Sequence, residues 1–278
     1  MKRLILLPAA LVLLALAGCV GQGAAPKLAI SAHEARARYK DTPLTVTPMD
    51  AVTVTRHTVT IAPAQENVEY TISGYFNGQV VNKTKNTVIK LKNAYLENTA
   101  GAPAVYGEAK TELSTAKDSV NYIVASGKSD GKLAALHCKK DLELGGSGTL
   151  YVAGYIYHGA KADDVKLKGS GTLYLQGTPR GSALNCRTLT VEREKSFTAY
   201  LVNSKNGVKA DNTITVASGT FCLYDLATAF KTDTTKDAPG APHGITLSGG
   251  TFRTSGVGTL YATEQGAYKA SGARIVAE

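Results

Sequence analysis

Tyr151 and Tyr174 stand 23 residues apart inside matching pentapeptides, Gly148-Thr149-Leu150-Tyr151-Val152 and Gly171-Thr172-Leu173-Tyr174-Leu175. Alternation along a strand turns Leu150 and Val152 inward and Tyr151 outward. Tyr200 joins the same column once a two-residue bulge is allowed. Three outward tyrosines in register are a candidate sugar track, because a pyranose ring packs its apolar C–H faces on aromatic rings while its hydroxyls seek polar neighbours. The same spacing also suits tyrosines that merely stack on one another from strand to strand.

Lys161, Lys166, Lys168, Arg180 and Arg187 fall in the same and the following repeats. Together they form a candidate basic strip for carboxylate or sulfate groups, which arginine grips through paired donors; scattered lysines also serve simply to keep exposed strands soluble. Asp163, Asp164 and Asp211 are the carboxylates available to a metal at a corner. Calcium takes about six to eight oxygens, and turn aspartates also bond nearby backbone amides. His137, His158 and His243 are candidate acid–base groups, but they lie in different repeats and no Ser or Cys nucleophile has a recognisable flanking motif. That points away from covalent hydrolytic chemistry.

The elements that must position these groups are short strands. Asp141-Leu142-Glu143-Leu144, Asp164-Val165-Lys166-Leu167, Thr188-Leu189-Thr190-Val191 and Thr213-Ile214-Thr215-Val216 repeat one pattern, and Gly219-Thr220-Phe221 and Gly250-Thr251-Phe252 continue the other. Gly, Ser, Asn and Asp mark the corners. A unit of about 23 residues with two or three such strands cannot bury its own inner face, and stacking solves this. The repeat predicts an all-β fold, a right-handed single-stranded parallel β-helix or solenoid, with Leu142, Val165, Leu189 and Ile214 as one inner column and roughly nine coils at the ~4.8 Å strand spacing. A β-propeller would need longer repeats with hairpin signals. Thr232 to Pro242 interrupts the rhythm and reads as a loop inserted at a corner. Cys138 and Cys186 fall about two coils apart, roughly 9 to 10 Å, too far for a disulfide; with Cys222 they read as small apolar packers.

The 278 residues are 44% hydrophobic and 19% charged, with 28 Gly, 14 Tyr and no Trp. This excludes a disordered chain and a helix bundle. Lys2 and Arg3 precede an apolar run from Leu4 to Ala17, the layout of an export signal too short for comfortable spanning. Its end, Leu16-Ala17-Gly18-Cys19, resembles the lipobox of bacterial lipoproteins, which implies a lipidated Cys19 and a membrane anchor at the bacterial cell envelope. The chain then divides into a signal peptide at 1–18, a tether at 19–47 with a short helix at Ala32 to Tyr39, and a β-helical domain at 48–278. Losing Lys2 and Arg3 leaves 29 basic against 22 acidic residues, a charge of +7. That is short of what a nucleic-acid partner demands.

Glu69-Tyr70-Thr71-Ile72-Ser73-Gly74-Tyr75, then Val88 to Leu96 with Ala102-Pro103-Ala104-Val105, then the iterated Gly-Thr-Leu units, resemble a family of bacterial β-helical carbohydrate-binding domains that bind acidic pectic polysaccharide. The resemblance implies a polysaccharide partner, a polyuronate in particular, and an association with calcium. Here the residue before the turn glycine is His158, Arg180, Asn206 or His243 rather than aspartate, which removes calcium ligands. Two other readings stand beside binding without cleavage. A calcium-assisted polysaccharide lyase would use an Arg or Lys base beside clustered carboxylates, which are few here; a stiff structural or adhesive stalk would need no sugar site at all.

Overall fold

The computed structural model describes residues 32–85, 87–129, 131–233, 243–264 and 266–278. The expected signal segment, the expected lipidation site Cys19 and residues 234–242 of the expected corner loop lie outside them. The described chain is a stack of parallel strands wound around three faces. On one face the successive strands are Glu69–Asn77, Thr87–Asn98, Val120–Ala125, Thr149–Gly154, Thr172–Gln176, Thr198–Val216, Thr220–Thr232, Thr251–Thr263 and Arg274–Ala277, each parallel to the next. These are nine rungs of a parallel β-helix, the architecture the repeat predicts.

Inward residues of neighbouring rungs meet side by side, because parallel pairing in register puts like positions over one another. Leu142 pairs with Val165, Val165 with Leu189 and Leu189 with Ile214, and all four are buried. Ile245 extends that column. Towards the C-terminal end the filling becomes aromatic, with Phe221 stacked on Phe252 at 5.4 Å and Phe230 edge-on to both. The corners are tight. Gly146 and Gly169 take φ of +102° and +90°, and a Cβ on Gly169 would lie 2.4 Å from the Gly146 carbonyl oxygen, so a side chain here meets both a left-handed backbone and the rung before.

The two residues that offset Tyr200 lie in the corner between Thr190 and Thr198, not within a strand, because Thr172 pairs directly with Thr198 and Lys166 with Thr190. At the N-terminal end the stack is closed by antiparallel strands. Thr45–Thr47 runs against residues 71–73, and Val52–Val54 forms a hairpin with Thr58–Ile61. Such a cap removes an open strand edge. The stretch 19–47 reads as a tether in the sequence, yet its residues 32–47 lie on the solenoid. The helix α1, Ala32–Tyr39, packs Ala35 and Tyr39 against Tyr95 and Tyr122, an attachment made through tertiary contacts that composition alone does not reveal.

Candidate functional site

Six tyrosines share one outward column. Tyr75, Tyr95, Tyr122, Tyr151, Tyr174 and Tyr200 pair in sequence across six successive rungs. From Tyr122 onwards the rings stack face to face, at 4.8, 4.4 and 4.4 Å between centroids and within 16° of parallel. Their faces therefore meet each other, and an approaching sugar meets ring edges and hydroxyls. Burial pushes the hydroxyl pKa of Tyr95, Tyr122, Tyr151 and Tyr174 well above the ordinary value, which keeps them protonated donors. α1 covers the early part: Tyr95 and Tyr122 are 1% and 2% exposed. Beside the open part lies a shallow groove lined by Ala32, Tyr151, Ala153, Tyr174, Gln176 and Val202 among others.

A second column occupies the next face. Tyr106, His137, Lys161, Asn185, Lys209 and Lys231 are successive register partners on six rungs, and each is partly exposed. Asp233 holds Lys209 at 2.7 Å and Lys231 at 3.1 Å. Lys161 has no carboxylate within ion-pair distance among the described residues. Burial, then the charges of Lys161 and Lys139, depress the His137 pKa to about 4, so its ring is neutral at pH 7. Its Nδ1 is buried without a partner. Tyr106 meets it edge-on at 5.7 Å.

The predicted basic strip is thus divided. Lys161 lies in this column, whereas Lys166 sits on the third face between Glu143 and Thr190. Lys168 is spent on Glu112 and Glu143, Arg180 occupies an exposed turn after Thr178, and Arg187 pairs with Asp164. Lys209 and Lys231 were the members that sequence reading missed. The even interval of 24 residues from Lys161 to Asn185 and from Asn185 to Lys209 was the signal that could have found the first of them.

The three predicted metal ligands do not gather into a calcium site. Asp164 accepts Nε and Nη2 of Arg187, at 3.1 and 2.5 Å. The Asp163 carbonyl accepts the Arg187 amide at 2.7 Å, and burial raises the Asp211 pKa, which disfavours its charged form. Among the described residues no three His, Cys, Asp or Glu side chains come together to hold a metal ion. The arginine supplies the positive charge at this corner, so the donor set does not fit calcium. His158 is also committed: its Nδ1 accepts the Ser182 amide at 3.0 Å, and burial lowers its pKa to about 3. His243 buries an unpartnered Nδ1 at the start of the strand Gly244–Leu247, away from both. Cys138, Cys186 and Cys222 are buried and form no disulfide among the described residues.

Residues 55–165 match the family model of carbohydrate-binding domain-containing proteins. That stretch spans the early rungs, with Tyr95, Tyr122 and Tyr151 on one face and Tyr106, His137 and Lys161 on the next. Among solved structures, one described as the polysaccharide lyase-like protein from C. thermocellum, in a gadolinium derivative, matches with a TM-score of 0.63. It is 16% identical over 81% of this chain and 93% of its own, a likeness of fold. No curated protein matches the chain.

Proposed function

We propose that this chain binds an acidic polysaccharide along the face of Lys161 without cleaving it. The observation that carries the reading is the run from Tyr106 to Lys231, in which six rungs each turn outward one side chain able to donate a hydrogen bond. Rungs recur every ~4.8 Å, about the advance of one unit in an extended polysaccharide, so a chain lying along the solenoid axis meets a donor at each step. Lys161 lies between a neutral imidazole and an amide, with no carboxylate within ion-pair distance among the described residues. That combination favours a uronate over a neutral sugar, since charge-assisted bonds are the stronger ones.

Two candidate groups committed elsewhere support binding without cleavage: His158 holds a backbone amide and Asp164 holds Arg187. The envelope address belongs to the same reading. With Cys19 acylated and the solenoid held near a membrane surface, the protein retains polysaccharide there.

Affinity electrophoresis through gels containing polygalacturonate tests the reading. Retardation that weakens as salt rises is the expected result; equal mobility with and without the polymer defeats it. Appearance of unsaturated uronate absorbance during the incubation would transfer the protein to the lyases. Replacement of Cys19 by Ser, followed by fractionation, tests the anchor, which predicts loss from membranes.

A further inference from the structure

We propose that α1 is a displaceable strap over a second glycan-contacting track on the tyrosine face, uncharged beyond the strap, so that a neutral sugar chain and the docked helix exclude each other there. The proposal stands apart from the acidic site, which lies on a different face.

Helix α1 has eight residues, too few to persist without its tertiary contacts. Side chains fasten it: Tyr39 Oη donates to the Val120 carbonyl at 2.7 Å and its ring packs on Tyr95 and Tyr122, Tyr95 Oη donates to the Ala32 carbonyl at 2.9 Å, and Arg36 donates to Tyr75 Oη at 3.3 Å and pairs with Glu97 at 2.9 Å. Ala35 is the residue wholly buried beneath it. One group is left badly served. Tyr122 Oη is buried without any hydrogen-bond partner, on a residue only 2% exposed. A hydroxyl removed from water with nothing in exchange opposes the closed state and is ready to bond whatever replaces the helix.

The rest of the track says what that replacement is. Beyond the strap the column continues through Tyr151, Tyr174 and Tyr200, flanked by Thr149, Thr172 and Thr198 in register, and the groove beside it starts at Ala32, the first residue of the strap. Residues 149–153, 172–176 and 198–202 carry no charge. Ring edges alternating with hydroxyls, and no ion to pair with, suit a neutral pyranoside chain.

The test uses the full chain and cellohexaose, a neutral β-linked glucan, at about 0.5 M salt to screen attraction of charged sugars. In the unsubstituted protein the sugar should accelerate hydrogen exchange at the α1 amides while the inner rungs stay protected. Ala35→Glu sets a carboxylate among the tyrosines, undocks the helix and should tighten cellohexaose binding about tenfold. Tyr122→Phe should slow α1 exchange and weaken the sugar severalfold. Unchanged α1 exchange on adding sugar, together with no gain from Ala35→Glu, overturns the proposal. Should Ala35→Glu disturb the solenoid itself, wild-type exchange and Tyr122→Phe decide, and the polygalacturonate experiment is untouched by either outcome.

Discussion

Arg187 grips Asp164 with two parallel bonds, Nε to Oδ1 and Nη2 to Oδ2, across a single rung of the stack. The pair joins a residue expected to hold an acidic sugar with one expected to hold calcium, and so withdraws both. Calcium at millimolar concentration is therefore expected to leave the melting temperature within about 1 °C of that in chelator, because only a ligand that binds the native state shifts it. A scanning calorimetry trace that climbs by several degrees would contradict this.

In the proposed function Lys161 is the cation on which the acidic-glycan site turns. Replacing it with Ala should lower affinity for polygalacturonate oligosaccharides about fivefold, near 1 kcal/mol for one partly exposed charged contact. The salt dependence of binding should flatten with it. Because the side chain is outward, the melting temperature should stay within about 2 °C. Isothermal titration of both proteins at two salt concentrations reads all three effects.

Two histidines tie stability to pH. The folded-state values of His158 and His137 lie near 3 and 4, below the ordinary 6.5, so the unfolded chain takes up their protons first. Their stabilising contribution is whole above about pH 6.5 and fades as pH falls towards those folded values, His158 alone losing roughly 2 kcal/mol by pH 5. His158→Asn keeps an acceptor for the Ser182 amide and should remove about half of the slope between pH 6.5 and 5. Denaturant melts at half-unit intervals would show it, and an unaltered slope would exonerate this ring.

Gly169 tests the corner geometry. Gly169→Ala combines a positive φ with a Cβ against the Gly146 carbonyl, and should cost about 2 kcal/mol or more, some 5 °C of melting temperature in a chain of this size. Ser170→Ala, one residue on, serves as the comparison and should change little.

The inner columns were legible because strand alternation has period two: Leu142, Val165, Leu189 and Ile214 announce themselves by type and recur at nearly even intervals. The tyrosine column was half legible. Tyr151 and Tyr174 share a pentapeptide, whereas Tyr75, Tyr95 and Tyr122 sit in strands whose corners differ in length, so their common register appears only when the backbone is wound. Face-to-face stacking was the second of two arrangements the spacing allowed, and it won because rungs set parallel rings near their contact distance. The lysine column was harder still. Tyr106, His137, Asn185 and Lys231 share no residue type, and a position that stays outward while changing its chemistry leaves no pattern to recognise. The docking of α1 was illegible for another reason: Ala35 and Tyr39 are unremarkable until Tyr95 and Tyr122 are placed beneath them.

In the proposed binding mode, one donor on each of six successive turns makes the molecule a measuring rod. In that mode an engineered descendant that gains or loses one of these turns changes the length of glycan it spans by one sugar, with the remaining contacts and the packing on either side of the splice left as they were. Selectivity for oligomer size is then a matter of counting turns, adjustable by duplication and deletion alone.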